Sequence, residues 1–164
     1  MQNTYRQIGS IFTLLFSLCF AACRPADDGL SEYHFQMESF FEQLSHLGDS
    51  LDALDPEAPE SAALMLHYLD EIAVLVHDMA SYEVPDFFPG VADLAEQADL
   101  HMMDAVSLYH EAYEAPVFNE NIADAAYEYY ERANLRLHYI ADILRGDIPE
   151  DIFEVPDEEW DTIF

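Results

Sequence analysis

The chain has 164 residues, of which 34 are acidic against five arginines and no lysine, so its formal charge is −29. Half of the residues (51%) are apolar, which separates it from disordered acidic chains and supplies the material for one packed core. A polyanion of this density is excluded from neutralising nucleic-acid phosphates, and anionic lipid headgroups repel it. Two cysteines, Cys19 and Cys23, cannot make a disulfide framework.

Residues 1–22 differ in composition from everything after them. Arg6 is their only charge, and it precedes an apolar run from Ile8 to Phe20. At about 13 residues this run has the length of a signal-peptide core and is too short to span a bilayer. It ends in Phe20-Ala21-Ala22-Cys23, with Arg24-Pro25 next. Small residues before a cysteine at the end of such a run resemble the bacterial lipoprotein signal, with Phe20 in place of the usual aliphatic residue. The resemblance implies cleavage before Cys23, acylation of that cysteine, and a membrane anchor of more than one acyl chain as the first partner. It places the protein in the cell envelope, and Arg24 after the cysteine favours the outer membrane, facing the periplasm or the cell surface. Residues 23–29 then read as the lipidated cysteine and a tether. Cys19 is discarded with the signal, so cysteine nucleophiles and cysteine metal sites are excluded from the mature chain.

Four amphipathic segments follow. The first runs from about Leu30 to Leu54, with Leu30, Tyr33, Met37, Phe40, Leu44, Leu47, Leu51 and Leu54 at alternating spacings of three and four. That is a bundle seam. Asp55-Pro56 closes it and is expected to cap a second helix from about Pro59 to Tyr82, with Met65, Leu66, Leu69, Ile72, Ala73, Val76, Met79 and Ala80 inward. A loop with Pro85, Pro89 and Gly90 carries Phe87 and Phe88, both expected to cover the bundle end. The third helix, about Pro89 to Ala112, turns Val91, Leu94, Ala98, Met102, Ala105, Leu108, Tyr109 and Ala112 inward. Asn119 is the expected N-cap of the fourth, which buries Ile122, Ala126, Tyr129, Ala133, Leu137, Ile140 and Leu144 and ends at Arg145-Gly146. The expected fold is all-α, an up-down-up-down four-helix bundle over residues 30–146.

The tail, residues 147–164, alternates acids with apolar residues and contains Pro149 and Pro156, which break a helix. It is expected either to strap onto the bundle or to dock on a protein partner through Phe153, Trp160 and Phe164.

The chain carries none of the common catalytic or metal-binding motifs. None of the seven histidines has an acid three residues before it, and no two lie three or four apart, so the Glu-x-x-His and His-x-x-x-His metal motifs are absent. No EF-hand loop, Cys-x-x-Cys-His motif or nucleophile elbow occurs either. At 100° per residue, His46, His67 and His110 point away from the apolar stripes, His34, His77 and His138 lie on their edges or beyond, and only His101 falls on a core-facing arc. All but His101 are expected to be solvated, beside acids such as Glu71 for His67 and Glu114 for His110. Arg132 and Arg136 are expected to pair with Glu128 and Glu131.

Met37 on the first helix, His138 on the last and Pro85-Asp86-Phe87-Phe88-Pro89 before the third resemble, in layout, the small periplasmic four-helix cytochromes. That resemblance implies noncovalent haem b held by Met37 and His138, with His101 as the other candidate ligand. A divalent cation is the companion alternative. The leading expectation is a non-enzymatic binding or scaffolding module without a cofactor or nucleic-acid partner, whose acidity is a halophilic adaptation.

Overall fold

Apolar residues spaced by three and four share one helix face, and burying that face is what stabilises each segment. In the computed structural model, which describes residues 28–147, the segments are α1 (Asp28–Asp52), α2 (Ser61–Ala80), α3 (Val91–Glu114) and α4 (Glu120–Arg145). The described residues contain no strand, and no helix among them is long and apolar enough to cross a membrane. All four helices feed one continuous core, as in a four-helix bundle, with Phe40, Leu69, Ile72, Ala98, Met102, Tyr130 and Ile140 among its fully buried members.

The seams do not approach equally. The backbones of α3 and α4 run together over the longest stretch, those of α1 and α2 over the shortest of the consecutive pairs. Side-chain size explains this. α3 buries Ala95, Ala98, Ala105 and Ala112, and α4 buries Ala123, Ala126, Ala133 and Ala141, so little volume separates the two axes. α1 and α2 instead bury Met37, Phe40, Phe41, Met65 and Leu69, which hold their axes apart.

The connections follow local chemistry. Asp55 forms a turn of its own, with Oδ1 accepting from the Glu57 amide at 3.0 Å. α2 starts later than expected, at Ser61, whose buried hydroxyl donates back to the Asp55 carbonyl. Gly90 sits at φ +82° as the N-cap of α3, a left-handed conformation that glycine adopts without Cβ strain. Asn119 caps α4, its Oδ1 accepting from the Ile122 amide at 3.4 Å. Gly146 ends α4 at φ +86°, and the Asp147 amide reaches back to the Asp142 carbonyl at 2.9 Å, a Schellman closure.

Several core expectations need correction: Leu30, Leu47, Leu54, Ala73, Ala80 and Leu108 pack on the core but stay half-buried at its rim. Tyr130, not Tyr129, is buried on α4; Tyr129 is half-exposed beneath the Arg132 guanidinium, which lies 5.1 Å from its ring centre. Ile122 is likewise only half-buried, since Ala123 takes the inward position in the first turn. Of the two loop phenylalanines, Phe88 is buried against Tyr33 and His34 at 5.7 and 5.5 Å between ring centres, whereas Phe87 is 65% exposed. Adjacent side chains of a turn cannot both point at one core.

Candidate functional site

Two histidine–carboxylate pairs tie α2 to α3. Nε2 of His110 lies 2.9 Å from Oδ1 of Asp70, and Nδ1 of the same ring lies 3.0 Å from Oε1 of Glu114. A neutral imidazole has a single N–H, so a ring with a carboxylate oxygen at each nitrogen is best served as imidazolium, donating to both. The Asp70 hydrogen bond is the largest cause of a pKa raised above the ordinary histidine value, and partial burial opposes it. At the other end, Nδ1 of His77 lies 2.9 Å from Oδ2 of Asp99 and its pKa is raised by that bond. The pairs cross in opposite order, early α2 to late α3 and late α2 to early α3. With so few arginines, it is histidines that meet the carboxylates across this seam.

The α3–α4 seam is polar at its core. Arg136 is buried, and its Nε donates to Oε1 of Gln97 at 3.2 Å. Glu131 accepts from the Tyr127 hydroxyl at 2.9 Å. Tyr109 and Tyr130 are fully buried, and burial pushes both phenols well above the ordinary tyrosine pKa. Tyr33 on α1 and Tyr127 on α4 are pushed up to about 12, also chiefly by burial. The Tyr109 hydroxyl is buried without a hydrogen-bond partner.

Between α1 and α2 runs an open groove of about 530 Å³. Leu47, Val74 and Leu75 form an apolar floor, with Gln43 and His46 on the α1 side and Asp70 and Glu71 on the α2 side. Val74 is 61% exposed at a position where a polar residue would satisfy the helix equally well. A second groove, of about 570 Å³, lies where the start of α1 meets the 81–90 loop, and it is edged by Glu32, Glu83 and Asp86. The apolar groove follows from the loose α1–α2 seam: large core side chains separate the axes and leave the outer edge unfilled.

The sequence-derived candidates fall in different places. Met37 is packed inside the core beside Tyr33 and Phe40. His101 is half-buried on α3 with its ring 6.0 Å from that of Tyr129. His138 is half-buried on α4, and burial lowers its pKa. Neither groove is lined by Met37, His101 or His138. Among the described residues, no group of three or more His, Cys, Asp or Glu side chains is placed to hold a metal ion. The expectation of solvated histidines is corrected for His34, His110 and His138, which are all half-buried: Phe88 of the loop packs on His34, and Asp70 of the neighbouring helix meets His110. Cys23 with Phe20, Ala21 and Ala22, and the tail residues Phe153, Trp160 and Phe164, lie outside the described residues.

The groove and the cross-helix pairs arise from residues far apart in the chain. Asp70 and His77 are two helical turns apart and Asp99 and His110 three, so each pair of positions shares a face. That spacing was the available signal. Comparison with known protein families, curated proteins and solved structures finds no match for this chain.

Proposed function

We propose that this chain is a lipid-anchored, non-enzymatic protein of the cell envelope whose helical domain, an up-down-up-down bundle, acts as a binding or scaffolding module. Short connections and the opposite-order crossing of the α2–α3 pairs support that topology. The observation that carries the binding reading is the α1–α2 groove, an apolar floor left open on a surface crowded with carboxylates. The anchor reading rests on the apolar run Ile8–Phe20 and the Ala21-Ala22-Cys23 junction. Acylation at Cys23 would hold the module at a membrane that its charge repels, so the lipid supplies the attraction that the protein surface cannot. The acidic tail, with Phe153, Trp160 and Phe164, would then offer a second contact to a partner.

Intact mass of the mature protein tests the anchor. The expected result is an N-terminal Cys23 carrying acyl mass, lost together with membrane fractionation in Cys23→Ala. A mature chain starting elsewhere, or an unmodified Cys23, overturns it. A photo-reactive residue at position 74, facing the groove, tests the module: a discrete cross-linked species in intact cells supports it, and none opposes it.

A further inference from the structure

Three occupants are available to the α1–α2 groove, and charge separates them. The first is this chain's own tail, but from Glu150 to Asp161 it carries carboxylates and no cation. Seating it beside Asp70 and Glu71 would set like charges against each other over an apolar floor. The second is another copy of the chain, which brings the same −29 to the contact. The third is a partner of opposite sign. We propose that the α1–α2 groove docks a cationic amphipathic helix of another protein. The apolar face of that helix would lie on Leu47, Val74 and Leu75, and its Lys or Arg residues would reach Asp70 and Glu71.

Geometry favours a helix over an extended segment. The groove lies between the two consecutive helices whose backbones approach least, and the open edge of such a seam accepts a third helix at the i, i+3, i+4 positions of its apolar face. Both acids are on the exposed side of α2, and Asp70 already bonds an imidazole. His67 Nε2 is 3.6 Å from Glu71, and His110 bridges Asp70 to Glu114. A carboxylate has lone pairs for a second donor, so the His110 bond orients Asp70 and leaves room on both acids for an incoming ammonium or guanidinium. The apolar floor would supply specificity of site, and the surrounding charge would speed encounter.

This proposal rests on the reading of the chain as a binding module, and the test separates the two. The probe is a synthetic helix of about 18 residues, roughly 27 Å long, with leucine on one face and lysine on the other. It is titrated into the full chain in detergent by calorimetry, alongside a version with glutamate in place of lysine. The expected result is saturable one-to-one binding of the lysine peptide that weakens as salt shortens the screening length from about 30 Å at 0.01 M to about 3 Å at 1 M. Val74→Asp is the deciding variant, because the side chain at position 74 is largely solvent-facing and lies outside the buried core. Docking on the apolar floor requires about a tenfold weaker Kd in Val74→Asp. Attraction to negative charge alone requires unchanged or tighter binding there, since the variant adds a carboxylate, and that outcome overturns the proposal. Val74→Leu is expected to bind at least as well as the parent. Binding of the glutamate peptide alone overturns the cationic partner while leaving a binding module in place; binding of neither peptide counts against both.

Discussion

His110 on α3 meets Asp70 on α2 with one ring nitrogen and Glu114 with the other, at 2.9 and 3.0 Å, so a single imidazole joins two helices in a protein short of fixed cations. Its folded-state pKa is raised, chiefly by the Asp70 bond. A base with a raised folded pKa contributes stability in full below its unfolded value of about 6.5 and loses it as pH rises through the folded value. His110→Gln should therefore destabilise the protein near pH 6 by up to ~1 kcal/mol, the usual limit for a partly exposed pair, and have no effect near pH 9. Thermal melts of parent and variant across that range check the crossing.

His77 makes the companion pair, but the burden falls on its partner. Asp99 is only 15% exposed, and its Oδ1 is buried without a hydrogen bond, so removing the imidazole strands a carboxylate. His77→Ala is expected to lower the melting temperature, and adding Asp99→Asn should recover most of the loss. A double variant no better than the single one would show that the pair does not couple.

His138 works in the opposite direction. Burial is the first cause of its lowered pKa, Asp142 raises it and Arg145 lowers it further. The unfolded chain takes up the proton first as pH falls below about 6.5, so this residue subtracts stability on the acid side. His138→Gln should consequently lose less stability than the parent between about pH 7 and pH 5, and imidazole NMR titration should place His138 below His77 and His110.

Tyr109 carries a hydroxyl that nothing in its surroundings satisfies. Tyr109→Phe keeps the ring packing and removes an unpaired polar group, so it is expected to be neutral or to stabilise by up to ~1 kcal/mol. Tyr109→Ala should cost roughly 3–5 kcal/mol by opening a cavity. Denaturant melts distinguish the two, and a large loss in the phenylalanine variant would reveal a partner for the hydroxyl.

The close approach of α3 to α4 depends on their alanines. Ala105 is fully buried, and Ala105→Leu forces side chains into a seam without room, at a cost of ~1–3 kcal/mol. The same enlargement at exposed Ala63 on α2 should change little.

With 34 acids and five arginines, self-repulsion outweighs the few ion pairs that salt would weaken. The melting temperature should rise by several degrees from low to molar salt. A flat response would point to specific roles for the carboxylates.

Much of the fold could be read from the residues. The three-and-four spacing from Leu30 to Leu54 identified α1, and Asn119 and Gly146 marked both ends of α4, because caps and seams are local chemistry repeated along one helix. The placement of Tyr130 over Tyr129, of Phe88 over Phe87, and of Ser61 over Asp55 as the start of α2 was less legible. Each is a choice between near neighbours decided by what another segment presents. The groove and the His110–Asp70 and His77–Asp99 pairs belong to the same class. Sequence alone determined that four acidic amphipathic helices would form, since periodicity and charge are properties of each segment. Tertiary structure decided which seam is tight, which is open and which histidines meet carboxylates, because those depend on side-chain volumes and charges meeting across helices far apart in the chain.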